Sequence, residues 1–171
     1  MRKNTCAILS CDPMGFPWGY DEEDEGCAAL KLILLNRITL LRAEGVTNFA
    51  VVMDAGVGLY AAEIINSLRE NDSVMRLTCI IPYEGQATKW TPELRDRTFN
   101  EQAKCSEVLF ASYEKSSGCE ILAMLNAVDM ADTVIAVKSE ADTLIPVALH
   151  YAERLDRTII EIDAEQIRYC S

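Results

Sequence analysis

The sequence is short of positive charge. It contains 16 lysines and arginines against 27 aspartates and glutamates, and its formal net charge at pH 7 is −11. Proteins that bind DNA, RNA or anionic membrane surfaces do so through a basic face, and this composition provides none. We therefore expect neither nucleic acid nor a membrane among its partners.

Residue patterns that hold metal ions or build disulfide frameworks are also missing. Seven cysteines stand at positions 6, 11, 27, 79, 105, 119 and 170 without a C-x-x-C pair, and His150 is the single histidine. Zinc sites need closely spaced Cys and His ligands, so we predict no metal. An odd number of unpatterned cysteines is typical of a reducing compartment. We expect a cytoplasmic protein that has no cofactor, with His150 on a helix surface.

Long apolar runs are absent as well. No run approaches the roughly 20 residues of a membrane-spanning helix. Residues 1–5 are polar and lead directly into a short apolar run, so we expect no signal peptide. The 171 residues fit one domain, 1–171, with a core large enough to need no disulfide or metal.

The most informative stretch is residues 49–63, FAVVMDAGVGLYAAE, because a buried strand there turns directly into a helix. Residues 49–53 are an unbroken apolar run, and apolar residues recur at helical spacing from Tyr60 to Leu68. In α/β proteins ligands bind outside the carboxyl ends of such strands, where helix N-termini favour anions. Here Val52 and Met53 put bulky side chains at the turn, and the carboxylate of Asp54 would repel a phosphate.

Five further apolar runs read as strands and alternate with helical patterns. The pattern predicts a three-layer α/β sandwich with a mainly parallel sheet of about six strands and right-handed crossovers. The predicted strands are 5–9, 49–53, 76–82, 107–111, 133–137 and 158–162.

Two helix starts and one helix end are marked by their residues. Thr91 and Pro92 read as N-cap and first helical position, and Ser117 to Glu120 reads as a capping box. The first helix follows an acidic run at 21–25 and ends at Gly45. The acidic run is either a docking surface or a solvated helix start. The predicted inward residues are Cys27, Leu30, Leu34, Ile38 and Leu41 on the first helix and Ile121, Leu125 and Val128 on the later one.

Three motifs carry a resemblance to a known family. The loop at 49–63, the tetrapeptide PWGY at 17–20 and the spaced Glu84, Gln86 and Trp90 match its scaffold pattern. On these residues the sequence resembles the YpsA-like branch of the SLOG superfamily, Rossmann-like domains of bacterial type proposed to sense or process nucleotide-derived ligands. The resemblance extends from Cys6 to Ile162 and implies the same fold.

The residues that face the ligand in that family are replaced at four places. Leu9, Ser10, Cys11 and Asp12 stand where the family has Thr-Gly-His-Arg after the first strand, so an anion-binding arginine has become an acid. The loop at 49–63 has Val52, Asp54 and Gly58 in place of Gly, Ala and Asp. Ala123 and Met124 replace an Arg-Asn pair, and residues 139–145 contain two acids and no glycine where the family has Gly-Gly-Thr. We infer a changed or abandoned ligand.

Two functions stay open. The first is a non-catalytic domain that binds a nucleotide-derived ligand or a protein partner, in a pocket narrowed by Val52, Met53 and Ile145. The second is a nucleotide N-glycosidic hydrolase with Glu63 as acid. Glu84 and Gln86 either contact a ligand or pin their own loop. The candidate ligand residues are Ser10, Cys11, Asp12, Trp18, Tyr20, Asp54, Gly56, Gly58, Glu63, Glu84, Gln86, Trp90, Ser139, Glu140 and Thr143.

Self-association is a further expectation. Leu32, Leu35 and Leu40 fall outside the predicted core stripe of the first helix. Relatives with this fold often associate through helices, so we predict a homodimer.

Overall fold

A computed structural model describes residues 4–167, which form one parallel sheet with helices on both faces. Residue Cys170 and most of the predicted polar start, residues 1–3, lie outside this range. The strands are β1 (Thr5–Ser10), β2 (Asn48–Val52), β3 (Arg76–Tyr83), β4 (Glu107–Ser112), β5 (Thr133–Lys138) and β6 (Thr158–Asp163). The helices are α1 (Glu25–Ala43), α2 (Val57–Arg69), α3 (Pro92–Lys104), α4 (Cys119–Met130), α5 (Leu144–Arg154) and α6 (Ala164–Ile167).

The strand order is β4-β3-β2-β1-β5-β6, and every neighbouring pair is parallel. The six predicted strands and the three-layer α/β class are therefore confirmed. Parallel neighbours need right-handed crossovers, which place α1, α2 and α3 on one face and α4 and α5 on the other. The contacts agree, because α2 packs against α1 and α3 while α4 packs against α5.

The core lies on both sides of the central strands. All of β1 is buried, and the apolar middle of β5 is buried as predicted. On α1 the predicted stripe of Cys27, Leu30, Leu34, Ile38 and Leu41 is buried, and Gly45 follows the helix with a φ of 106°, a conformation that glycine adopts without strain. Among residues 4–167 no helix is long and apolar enough to cross a membrane.

Of the two helix starts that the sequence marks by their capping residues, one is confirmed and one is wrong. Thr91 is the N-cap of α3 and Pro92 its first residue, as expected. The capping box at Ser117 to Glu120 is wrong, because the N-cap of α4 is Gly118 and no side chain caps this helix. The residues that α4 buries most deeply include Ala123, Ala127 and Val128, whereas Ile121 and Leu125 are only half-buried because the stripe is rotated toward the smaller side chains.

Candidate functional site

A cavity of about 500 Å³ opens at the carboxyl ends of the strands. It lies at the point where the sheet order reverses, since the chain leaves β1 toward β2 but reaches β5, on the other side of β1, only after β4. This switch point is the usual ligand position in open parallel sheets, and the volume is that of a small-molecule site. Its wall comprises the loops after β1, β2, β3 and β5 and the first turns of α4.

Nine of the predicted ligand residues line this cavity. They are Ser10, Cys11, Asp12, Tyr20, Asp54, Gln86, Trp90, Ser139 and Thr143. Gly56 and Gly58 lie behind Asp54 and contribute backbone N–H groups. Trp18, Glu63, Glu84 and Glu140 are outside the lining. Trp18 is instead buried and stacked on Phe16, with ring centroids 5.1 Å apart.

The cavity also has walls that sequence reasoning did not assign to the ligand. The polar or large members of this group are Met14, Tyr83, Glu120, Met124, Asp142 and Leu144. Asp142 is one of the two acids in the loop that stands where the family has Gly-Gly-Thr, so the sequence reveals its charge but not its position in the cavity. Val52 and Met53 line the cavity as expected, whereas Ile145 does not, because it is fully buried on the inner face of α5.

The carboxylate of Asp54 occupies the backbone N–H groups between β2 and α2 that could otherwise bind an anion. Its Oδ1 atom accepts hydrogen bonds from the backbone N–H of Gly56 at 2.7 Å and of Gly58 at 2.9 Å. Its Oδ2 atom accepts a hydrogen bond from Ser10 Oγ at 2.5 Å. These N–H groups begin α2, where a bound phosphate would be placed. The protein therefore puts its own anion where a ligand's phosphate would bind.

Aspartate carboxylates also occupy the backbone N–H groups of the loops after β1 and β5. Asp12 Oδ1 accepts a hydrogen bond from the backbone N–H of Met14 at 2.9 Å, which caps a 3₁₀ turn. The carboxylate of Asp142 accepts from the N–H groups of Leu144 at 3.1 Å and Ile145 at 2.9 Å, at the start of α5. All three strand ends at the centre of the sheet thus carry an aspartate that satisfies its own loop's donors.

Close packing fixes these loops against one another. A Cβ atom at Gly56 would lie 2.7 Å from Pro13 Cγ, and one at Gly15 would lie 2.8 Å from Ser139 Oγ. Both distances are too short for a real side chain, so glycine permits the approach. The β1 loop therefore contacts the β2 loop on one side and the β5 loop on the other.

Gln86 holds the loop after β3, which forms another wall of the cavity. Its side-chain Nε2 donates a hydrogen bond to the carbonyl oxygen of Met53 at 2.8 Å. This contact fixes the loop after β3 to the end of β2. Of the two roles expected for Gln86, it therefore has the one of pinning its own loop. Glu84 is exposed and has no place in the lining.

Burial shifts the pKa of two groups in the wall by a large amount. Desolvation raises the pKa of the Asp54 carboxyl to about 6, against the opposing effect of its hydrogen bonds from Ser10, Gly56 and Gly58. Burial also raises the pKa of the Cys11 thiol to about 12, so this cysteine is an uncharged thiol at neutral pH. The cavity therefore contains carboxylates but no thiolate.

No basic residue lines the cavity within the described part of the chain. Its ionisable members other than Cys11 and the tyrosines are Asp12, Asp54, Glu120 and Asp142. Within residues 4–167 no three His, Cys, Asp or Glu side chains are grouped so as to hold a metal ion. A phosphate that entered would meet repulsion without a counter-charge.

Glu63, the candidate acid of a hydrolase, is held in an ion cluster away from the cavity. Its Oε1 atom lies 2.6 Å from Nη2 of Arg97, which also forms a two-bond pair with Glu22 at 2.6 and 3.0 Å. This cluster joins α2 and α3 to the loop that precedes α1. Arg97 lines a smaller cavity of about 220 Å³ beside the main one.

Comparison with known proteins gives a family. A model of the YspA SLOG family matches residues 14–142, about three quarters of the chain. The matched range contains β2 to β5 and the loops that build most of the cavity. No curated protein is significantly similar in sequence to this chain.

Proposed function

The chain belongs to the YspA SLOG family of Rossmann-like nucleotide-ligand domains, and we propose that it is a non-catalytic, cytoplasmic member whose cavity takes a small ligand without a phosphate. The observation that carries this proposal is the set of three aspartates that occupy the N–H groups at the ends of β1, β2 and β5. A ligand phosphate would have to displace a covalently attached carboxylate at each place.

Electrostatics adds to this competition. Two unit charges about 4 Å apart repel by roughly 4 kcal/mol at an effective dielectric constant near 20, whereas a helix N-terminus attracts an anion by about 0.3–1 kcal/mol. The repulsion from Asp12, Asp54 and Asp142 therefore exceeds the attraction of the helix starts. A nucleoside or another phosphate-free molecule of similar size avoids this cost and still fits a cavity of about 500 Å³.

A thermal-shift panel of matched pairs tests the proposal. Each pair is a nucleoside and its 5′-monophosphate, and ADP-ribose completes the panel. A ligand that binds only the native state raises the melting temperature. We expect no monophosphate to exceed its own nucleoside, and no micromolar binding of AMP or ADP-ribose in calorimetric titrations without Mg²⁺. Micromolar binding of either anion would contradict the proposal.

Two variants of Asp54 distinguish two reasons for the exclusion of phosphate. One is that the carboxylate occupies the N–H donors, and the other is that its charge repels the anion. Asp54→Ala frees the N–H groups of Gly56 and Gly58, whereas Asp54→Asn removes the charge but keeps an oxygen on them. We expect AMP affinity to rise more in Asp54→Ala than in Asp54→Asn, because only the former opens the donors. Glu153→Gln, an exposed acid outside the cavity, is the control and should leave AMP binding unchanged.

The hydrolase with Glu63 remains the alternative hypothesis, and no contact in the cavity favours it. Its carboxylate is paired with Arg97 and does not line the main cavity. Incubation with nucleoside monophosphates distinguishes the two, because a hydrolase releases free base. Base release that disappears in Glu63→Gln would replace the non-catalytic proposal.

We also propose that the protein forms a homodimer through α1. Leu32 and Leu40 are 61% and 55% exposed, two turns apart on one face, and Leu35 is half-buried. Because about half of each side chain is already covered, burying the rest contributes about 1–2 kcal/mol each. Light scattering at high micromolar concentration should give twice the monomer mass, and Leu32→Lys with Leu40→Lys should give the monomer mass. Val74→Lys, at a 55% exposed residue elsewhere, is the control. A monomer for the native chain would dispose of the prediction.

A further inference from the structure

The wall of the main cavity carries acidic side chains that form no ion pair within the described part of the chain. Asp12, Asp54 and Asp142 come from three loops, and Glu120 comes from the first turn of α4. Within residues 4–167 none of these four is ion-paired with a Lys, Arg or His, although other acids such as Glu22 and Asp72 are. The hydrogen bonds that the aspartates accept come from neutral groups and leave their charge and further lone pairs available.

These carboxylates do not meet at one point. In the described part of the chain no three acidic, Cys or His side chains are close enough to surround a metal ion. A metal needs several ligand atoms at about 2–2.6 Å, which this arrangement does not offer. Carboxylates that are spread around a cavity of about 500 Å³ match an organic cation better than a metal ion. An organic cation is large enough to contact several parts of the wall at once.

Aromatic rings supply the apolar contacts that such a cation needs. Tyr20, Tyr83 and Trp90 line the cavity, and none of the three is fully buried. Cations are attracted to the faces of aromatic rings. One ring already shows this affinity, because Nζ of Lys115, outside the lining, lies 6.0 Å from the Tyr83 ring centroid.

The lining also contains a buried hydroxyl. Ser139 is 8% exposed and lines the cavity, and its Oγ atom has no hydrogen-bond partner in the range 4–167. The Cys11 thiol lies beside it and is at most a weak partner, because a thiol is a poor hydrogen-bonding group. A buried polar atom without a partner is unfavourable, and a ligand N–H group would satisfy it.

We propose that the cavity binds a small organic cation, an amine with an aromatic or otherwise apolar body. This inference rests on the proposed function, since it assumes that the cavity binds a ligand, and it adds the sign of the ligand's charge. The ammonium group is attracted by the combined field of the Asp12, Asp142 and Glu120 carboxylates, which stand at separate points of the wall, and the apolar body stacks on the aromatic rim.

Three probes with one indole body test the sign of the charge. Tryptamine is a cation at pH 7.5, N-acetyltryptamine is neutral, and indole-3-acetate is an anion. We expect tryptamine to bind at least about tenfold more tightly than N-acetyltryptamine in calorimetric titrations, and indole-3-acetate to bind most weakly. AMP is included as the phosphate-bearing comparison.

Two conservative variants place the binding in this cavity. Glu120→Gln and Asp12→Asn each remove one charge at an exposed position, and the amide oxygen of the latter still caps the Met14 N–H. We expect each to weaken tryptamine binding roughly three- to tenfold and to leave N-acetyltryptamine binding unchanged. Glu153→Gln, outside the cavity, should change neither. Melting curves of the variants confirm that they are folded.

The outcomes separate this inference from the function on which it rests. Equal binding of tryptamine and N-acetyltryptamine, with both anions excluded, would overturn the cation inference and leave a phosphate-free ligand in place. Binding of AMP in preference to tryptamine would overturn both, whereas preferential binding of indole-3-acetate, which has no phosphate, would overturn the cation inference alone. No binding of tryptamine at millimolar concentration, or tryptamine binding that Glu120→Gln and Asp12→Asn do not weaken, would also overturn the cation inference.

Discussion

Replacing Gly58 by alanine is expected to lower the free energy of unfolding by about 3 kcal/mol, the upper range for an overpacked core. A Cβ atom at this position would lie 2.4 Å from the carbonyl oxygen of Val52 and 3.0 Å from Met53 Cα. Both are backbone atoms of the adjoining strand end, which cannot rotate away. The first turn of α2 would have to move away from β2, and the hydrogen bond from the Gly58 N–H to Asp54 would be distorted.

Chemical denaturation of the native chain and the variant measures this effect. Gly85→Ala is the matched control, because its backbone has a φ of −87° and the nearest atom to the added Cβ is Thr88 Oγ1 at 3.4 Å. We expect the control to lie within about 0.5 kcal/mol of the native protein. A Gly58→Ala protein as stable as the native one would mean that α2 is not held against the strand as described.

Replacing Asp54 by asparagine is expected to have the opposite sign, raising the free energy of unfolding at pH 8 by about 2 kcal/mol. The side-chain oxygen can still accept from the N–H groups of Gly56 and Gly58, and the amide nitrogen can donate to Ser10 Oγ. The change removes the cost of a desolvated charge, which is the main reason that the pKa of Asp54 is raised to about 6. Neighbouring charge on Asp12 contributes in the same direction.

The pH dependence gives the sharper test. The folded-state pKa of Asp54 is about 6 and its unfolded value is about 3.9, so the native state binds more protons between these values. Stability from this group therefore falls as pH rises from about 4 to about 6 and stays low above that range. In Asp54→Asn this fall should be absent. Glu22, whose pKa is lowered mainly by its hydrogen bonds with Arg97, acts in the opposite sense at lower pH and is unchanged in the variant.

Denaturation curves at pH 5 and pH 8 for both proteins give the comparison. The difference between native and variant should be larger at pH 8 than at pH 5. A variant that is less stable than the native chain at both values would show that the charge of Asp54 stabilises its loop more than burial penalises it.

The fold followed from local patterns because each strand and helix carries its own signal. The run 49–53 is buried on both sides in any doubly wound sheet, and the spacing of Leu30, Leu34 and Ile38 fixes which face of α1 is covered. These features depend on neighbours in sequence. The location of the cavity also followed, since loops after parallel strands must meet at one edge of the sheet.

The direction in which a loop side chain points could not be predicted from the sequence. The sequence placed Asp54 at the right strand end and suggested that its carboxylate repels anions, but its inward turn onto the N–H groups of Gly56 and Gly58 depends on the backbone dihedral angles of the loop. The same holds for Asp142 at α5, and for Gly118, which became the N-cap of α4 in place of Ser117. Three-dimensional packing decides these details, and no short pattern encodes them.

Loops whose donors are already satisfied keep their shape when no ligand is bound. Asp12, Asp54 and Asp142 hold the three central strand ends in place from within the chain, and Gln86 fixes the fourth wall. A binding event at this edge therefore has little backbone to order, so its loss of conformational entropy is small and the free and bound loops have the same course. Association should then proceed at a rate governed by encounter and orientation rather than by a slow closure step.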